Sequence, residues 1–311
     1  MSTSQLPFSP KILFASNDDI ALEVLKTLNP YGVLTTKEHS SGRKKRINPI
    51  KEWAILNNKK LYEVEHILKE EREEIQKENF DVLISFSFSK IFGPKFLAIF
   101  PQGTFNIHPS SLPKYRGPSP LQSAIINGDK NLDVVLQTIS SKMDEGDIVF
   151  STAVKIDNDD NYKTLKDKVS NKAITLINEF KDNYPYFNYT KQSGEPSYTH
   201  LIDKNEGIID FSNNGEILER KIRAYYIFPR MRCFFYGRIL FILKAKFKSE
   251  IHNEQLGKVI SFDKINGLKV AVKDGYLFIE RLQLEGKKEV DSNSFVNGYK
   301  EVIGAVLEGK S

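Results

Sequence analysis

Short apolar runs and stretches of helical periodicity alternate through the first half of the chain. Residues 11–15 form an apolar run that predicts a strand, and the pattern over 19–28 predicts a helix behind it. Residues 32–35 predict a second strand, followed by a polar, basic loop over 36–48. A helix is expected over 49–57, where Pro49 suits a first turn. The highly charged residues 63–79 predict a surface helix. Strands are then expected at 82–86 and 104–108, with a short helix at 94–99 between them. This alternation predicts parallel βαβ units and an open doubly wound sheet. Such sheets bind ligands at the carboxyl ends of their strands, and Asn106 and His108 stand at one of those ends.

A helix over 120–127 ends at Gly128, which can adopt the left-handed conformation of a helix cap. Strands are expected at 134–138 and 148–156 around a loop at 139–147, then a long amphipathic helix over 162–182. The Tyr-, Asn-, Ser-, Gly- and Pro-containing stretch that follows reads as an interdomain linker. Beyond it a helix is expected at 214–225. Short strands follow near 232–236, 239–247, 256–262, 268–273 and 276–284, and a closing helix over 294–307. Turn signals at Asn266-Gly267 and Asp274-Gly275 separate the later strands, which predicts a small antiparallel barrel. The expected domains are 1–189, a linker at 190–207, and 208–311.

A length of 311 residues agrees with two domains, each large enough for its own core. Composition, 40% hydrophobic and 27% charged, is that of an ordinary globular protein. No apolar run approaches the ~20 residues that cross a bilayer, so no membrane is expected. The first ten residues lack the pattern of a secretory signal, and one cysteine, Cys233, cannot form an internal disulfide. A cytoplasmic protein is expected, with Cys233 packed in the core. Net charge is +5, and residues 206–311 hold 18 basic against 14 acidic side chains. That mild excess is compatible with a nucleic-acid partner without requiring one.

The chemistry concentrates in residues 105–120, Phe-Asn-Ile-His-Pro-Ser-Ser-Leu-Pro-Lys-Tyr-Arg-Gly-Pro-Ser-Pro. Asn106 and His108 are two apart on a strand, so both project from one face. One offers an amide donor, the other a ring that donates or shuttles a proton. The proline-rich loop behind them is stiff and can hold backbone groups against a ligand. A second polar cluster, Met143-Asp-Glu-Gly-Asp147, reaches this site only if the fold brings it there.

Asn-x-His, then Ser-x-Leu-Pro-x-Tyr-Arg-Gly, then Asp-x-Gly-Asp at 144–147 resembles the signature of formyltransferases that use 10-formyltetrahydrofolate. The similarity runs over nearly the whole chain. It includes Ile222-Arg-Ala-Tyr-Tyr-Ile-Phe-Pro229, which resembles a stretch of the methionyl-tRNA formyltransferases that ends Pro-Trp-Pro. The resemblance implies a Rossmann-like, mostly parallel sheet domain followed by a barrel resembling an OB-fold. It implies Asn106, His108 and Asp144 as a catalytic trio. Asn106 and charged His108 can donate to the formyl oxygen as negative charge develops there. Asp144 can hold His108 charged and, through water, take the proton of the attacking amine. Ser110, Ser111, Leu112 and Pro113 align with the folate-contacting loop, and Phe86, Phe88 and Ile91 with a wall of the pterin pocket. Arg43, Lys44, Lys45 and Arg46 stand where that family inserts a tRNA-binding loop, although one of its glycines is missing.

The resemblance thus implies 10-formyltetrahydrofolate as formyl donor, initiator methionyl-tRNA as acceptor, no metal, and a monomer. An amino sugar nucleotide or glycinamide ribonucleotide is the alternative acceptor. The last hundred residues disfavour the glycinamide type, whose enzymes usually stop after one domain. A non-catalytic RNA-binding module is disfavoured by the intact trio. The absence of Gly-x-Gly-x-x-Gly after the first strand disfavours a nicotinamide enzyme. The single Cys and scattered His residues give no metal-ligand spacing. One departure from the family lies at Ser16-Asn17-Asp18-Asp19-Ile20, where relatives usually read Gly-Thr-Pro-Asp-Phe.

Overall fold

The computed structural model describes residues 10–37 and 48–310, so Arg43, Lys44, Lys45 and Arg46 lie outside the described residues. Two compact units emerge. The first draws on residues 1–117, 131–155 and 166–198, the second on 118–130, 156–165 and 199–311.

The first unit holds a seven-stranded sheet. Its elements run β1 (Ile12–Ala15), α1 (Leu22–Leu28), β2 (Gly32–Thr36), α2 (Pro49–Leu56), β3 (Lys60–Val64), α3 (Lys69–Gln76), β4 (Val82–Phe86), α4 (Pro94–Leu97) and β5 (Thr104–His108). After α5 (Pro120–Asn127) come β6 (Asn131–Thr138), β7 (Ile148–Lys155) and α6 (Tyr162–Asn183). Strand order is β3-β2-β1-β4-β5-β6-β7. The first five strands pair in parallel, and β6 and β7 complete the sheet antiparallel. The order reverses at β1, which has β2 on one side and β4 on the other, the doubly wound arrangement expected.

The fully buried run of β1 and the five buried residues of β4 explain their legibility as central parallel strands. Strand β3 is different. It is an edge strand in which only Tyr62 and Val64 are buried, among charged neighbours that hide its two-residue period. The surface helix expected over 63–79 is therefore the end of β3 followed by the shorter α3. One face of the sheet packs Leu13, Ala15, Leu34, Val64 and Leu83 against Ile75 of α3 and Phe96 of α4. Phe105, of the alternate parity on β5, stands edge-on to Phe180 of α6 at 5.4 Å. A buried side chain of this kind stabilises the fold by roughly 1.5–3 kcal/mol.

In the second unit α5 packs on α7 (Gly215–Ala224). Leu121, Ala124 and Ile125 form the buried face of α5, and Leu218 and Ile222 that of α7. Helix α5 ends as expected at Gly128, whose φ of 73° is left-handed. The strands are β8 (Arg232–Phe235), β9 (Arg238–Ser249), β10 (Val259–Asp263), β11 (Gly267–Val272), β12 (Gly275–Leu284) and β13 (Val290–Asp291), before α8 (Ser292–Gly298). They form an antiparallel sheet in the order β10-β11-β12-β9-β8, with β13 on β12.

The helix expected over 294–307 is shortened to α8 and a single 3-10 turn at Lys300–Val302. The chain then runs extended because both sheet edges offer it partners. Gly304 N–H donates to Val259 O and Val259 N–H to Ala305 O, each at 2.8 Å, while Phe234 and Glu308 exchange bonds at 2.7 and 2.9 Å. One segment thus covers the backbone groups at both edges and closes the sheet into a barrel. Cys233 lies fully buried in β8, and burial pushes its thiol up to about 12, which leaves it an inert packing group.

Candidate active site

Strand β5 delivers Asn106 and His108 to the face that also carries Ser85 of β4. Ser85 and Asn106 are register partners, and the Ser85 hydroxyl donates to Asn106 Oδ1 at 2.8 Å. With its oxygen taken, the amide presents Nδ2 as the remaining donor. His108 is buried at 6% exposure. Its Nε2 lies 3.1 Å from the carbonyl oxygen of Tyr115. A carbonyl can only accept, so Nε2 carries a hydrogen and Nδ1 is the atom left to gain or lose a proton. Nδ1 lies 3.6 Å from Asp144 Oδ1.

Asp144 comes from the loop between β6 and β7, and the fold brings it to the motif on β5. Its backbone is left-handed, with φ 55°. Its carboxylate is held at both oxygens: Gly117 N–H donates to Oδ2 at 2.8 Å and Gln137 Nε2 to Oδ1 at 2.9 Å. The loop closes tightly at Gly146, where a Cβ would stand 1.7 Å from the Thr138 carbonyl oxygen, so glycine alone allows the approach. Asp147 shapes the loop through its backbone, exchanging bonds of 2.9 Å with the Thr138 hydroxyl and amide. Glu145 pairs with Arg116 at 3.1 Å.

The start of the segment read as a linker belongs to this site. Thr190 exchanges backbone bonds of 2.9 and 2.8 Å with Ile148. The Ser197 hydroxyl accepts from Tyr115 N–H at 2.9 Å, and its carbonyl from Arg116 N–H at 2.9 Å. Between them, Gln192 donates to the carbonyls of Asp144 and Gly146 at 2.8 Å. Ser85, Tyr115, Gln137 and Gln192 thus bond to the candidate trio or its loop without having been expected there from the sequence. Gln137 carried a signal, a polar side chain in the apolar run Val-Val-Leu-Gln that is 1% exposed. Gln192 carried none.

The residues expected to meet a folate are placed as follows. The Ser110 hydroxyl is buried and has no hydrogen-bond partner within the protein. The Ser111 hydroxyl accepts from Asp133 N–H at 3.0 Å. Leu112 is buried, and the Pro113 carbonyl accepts from Ser197 N–H at 3.2 Å. Phe86 is buried at the end of β4, Phe88 stacks on Phe92 at 5.1 Å, and Ile91 is 82% exposed. The altered turn after β1 is built by side chains instead of glycine and proline. Asn17 donates its N–H to Ser87 O at 3.3 Å, and its Oδ1 accepts from Ser89 N–H at 2.9 Å. Asp18 caps the following turn at Ile20 N–H (2.9 Å), and Lys166 pairs with both Asp18 and Asp19. The turn is thereby tied to the loop that carries Phe88.

His200 and His252 bond respectively to Glu206 at 2.9 Å and to the carbonyls of Val272 and Gly275 at 2.7 and 2.9 Å. Among the described residues no cluster of His, Cys, Asp and Glu could hold a metal ion.

Residues 24–179 match the family described as formyl transferase, and residues 201–300 match its C-terminal domain. The chain is 33% identical over 307 residues to the methionyl-tRNA formyltransferase of Borrelia turicatae, covering 96% of this chain and 99% of that one. In fold it is similar to the N-formyltransferase of Helicobacter canadensis, solved with folinic acid and dTDP-3-aminofucose. That match has a TM-score of 0.62 and 19% identity over 91% of this chain and all of that one. It is also similar to the methionyl-tRNA formyltransferase from Clostridium thermocellum, with a TM-score of 0.54 and 19% identity over 76% and 93% of the two chains.

Proposed function

Because the chain belongs to the formyl transferase family and, within it, to the methionyl-tRNA formyltransferases, we propose that it formylates the amino group of initiator methionyl-tRNA from 10-formyltetrahydrofolate. The observation that carries this reading is the convergence of Asn106, His108 and Asp144, with His108 Nδ1 facing the Asp144 carboxylate.

The roles follow from the geometry. The substrate amine attacks the formyl carbon, a carbon–nitrogen bond forms, and negative charge grows on the formyl oxygen. Asn106 Nδ2 and the charged His108 ring, through Nδ1–H, donate to that oxygen. Asp144 balances the imidazolium and, with a water, takes the proton that the amine must lose. That proton ends on the nitrogen of the departing tetrahydrofolate when its bond to the formyl carbon breaks, so no net proton is consumed. The buried, unpartnered hydroxyl of Ser110 offers hydrogen-bonding capacity to a folate beside His108. Ser111, Leu112, Pro113, Phe86, Phe88 and Ile91 complete the proposed folate contacts, with apolar and aromatic surface suited to a flat heterocycle.

On this reading residues 1–189 form the catalytic domain and 208–311 a tRNA-binding barrel, in a cytoplasmic monomer. Arg43, Lys44, Lys45 and Arg46 contact the tRNA. Replacing all four with Ser is expected to weaken tRNA binding and to flatten the plot of log affinity against log salt by up to about 3, roughly 0.7–0.9 for each of the four lost phosphate contacts. An unchanged affinity and slope in a salt titration would remove the loop from the tRNA site.

The reaction itself is tested with purified protein, 10-formyltetrahydrofolate, and methionine charged on initiator or elongator tRNA. Formylation of the initiator species alone is expected. A folded protein that binds folate yet formylates neither tRNA would refute the acceptor.

A further inference from the structure

We propose that Gln192 is the positioning residue for Asp144, acting through an amide that clamps the whole acid loop. This inference rests on the functional reading above and extends it to a residue outside every motif.

The amide of Gln192 is used from both ends. Nε2 donates to the carbonyls of Asp144 and Gly146 at 2.8 Å, and lies 3.3 Å from Gln137 Oε1. Oε1 accepts from Arg116 Nη2 at 2.7 Å and Nε at 3.2 Å. These contacts reach Asp144 by two routes. The first is its own backbone, which must be kept in the left-handed region at φ 55°. That conformation is unfavourable for an L residue, and Asp bears it better than most. A bond to the Asp144 carbonyl, and another two residues on, holds the turn there. The second route is Gln137. When Gln137 Oε1 faces Gln192, its Nε2 must face Asp144 Oδ1, where it sits at 2.9 Å. The carboxylate oxygen, which can only accept, sets that orientation, and the Gln192 nitrogen, whose two hydrogens serve the two carbonyls, stands beside the Gln137 oxygen in agreement with it.

The charges around the clamp are arranged so that it does not compete with the reaction. Arg116 is neutralised by Glu145 at 3.1 Å and also donates to the Tyr198 hydroxyl at 3.0 Å, which leaves Asp144 to face His108. Arg116 fixes which end of the Gln192 amide is the oxygen, because a guanidinium can only donate. The order of control runs from Arg116 to Gln192, to the backbone of the loop, and then to the carboxylate.

The test is Gln192→Glu, which keeps the acceptor for Arg116 and removes both donors to the loop. A misplacement near 1 Å costs on the order of 100-fold in rate, so kcat is expected to fall about 100-fold with KM for folate and tRNA within twofold. Gln192→Asn, which keeps the amide on a shorter stem, is expected to recover part of the loss. In an Asp144→Asn background Gln192→Glu is expected to add nothing, because the carboxylate it orients is gone. A fall in stability with kcat within threefold would overturn the proposal, as would full additivity with Asp144→Asn. A readout independent of substrate separates this inference from the proposed reaction. With 15N-labelled histidine, Gln192→Glu should shift the ring signals of His108, identified by their loss in His108→Gln, in the direction Asp144→Asn shifts them, leaving the other four histidines in place. Unmoved His108 signals would overturn the positioning role even in an active enzyme. Moved signals in a protein that formylates no tRNA would keep the role and refute only the acceptor.

Discussion

His108→Ala and Asp144→Ala are each expected to abolish most turnover, by about 1000-fold, while the protein stays folded. The magnitude combines two losses that fall on the same step. Removing the ring removes a donor to the developing oxyanion, worth ~100–1000-fold, together with part of the proton transfer. Removing the carboxylate leaves the ring buried without its counter-charge, since Asp144 Oδ1 is the acidic group found 3.6 Å from Nδ1. Asp144→Asn sharpens the comparison. It can still accept from Gly117 N–H, which holds the carboxylate at 2.8 Å, and it loses the charge together with the acceptor that faces Gln137 Nε2 at 2.9 Å. If charge is what matters, the Asn and Ala variants should be about equally slow. The double variant should be little slower than either single one, because the two groups act as a unit. Single-turnover formylation at saturating folate, with a thermal melt as folding control, reads all four proteins. Turnover within tenfold of the parent in any single variant would take that residue out of the mechanism.

Asn106→Ala should be the next most damaging change, at roughly 100–1000-fold in kcat, the usual cost of one lost oxyanion donor. Ser85→Ala should show a smaller fraction of the same defect, about tenfold, because Ser85 does not touch the formyl group. It holds Asn106 Oδ1 at 2.8 Å and so decides which end of the amide faces the substrate. Without that bond the amide is free to turn its oxygen toward the growing negative charge. The two variants together should match Asn106→Ala alone. A loss confined to KM for folate would mean that Asn106 binds the donor rather than stabilising the transition state.

The motif and the sheet were legible for the same reason. Central parallel strands such as β1 and β4 are buried on both faces, so their apolar runs stand out locally, and on the adjacent β5 Asn106 and His108 interrupt an apolar run at its carboxyl end. Edge strand β3 was lost in a charged stretch because it buries one residue in two beside solvent. The closing helix was expected too long because local pattern does not reveal that two open sheet edges will claim residues 304–308. In each case the missing information was the identity of a neighbour distant in sequence.

The site divides along the same line. Residue type and spacing by themselves pointed to the family, to the candidate groups Asn106 and His108, and to the strand that carries them, because those are properties of a contiguous stretch. Only the tertiary structure decided that Nε2 of His108 is spent on Tyr115, so that Nδ1 faces Asp144. It alone decided that Ser85 orients Asn106, and that Gln192, from a stretch resembling a linker, is bonded to the acid loop. Hydrogen-bond direction depends on which donor meets which acceptor, and here the partners lie from 7 to 48 residues apart along the chain. No local pattern encodes such a pairing; the packed fold selects it by bringing particular donors and acceptors within reach of one another.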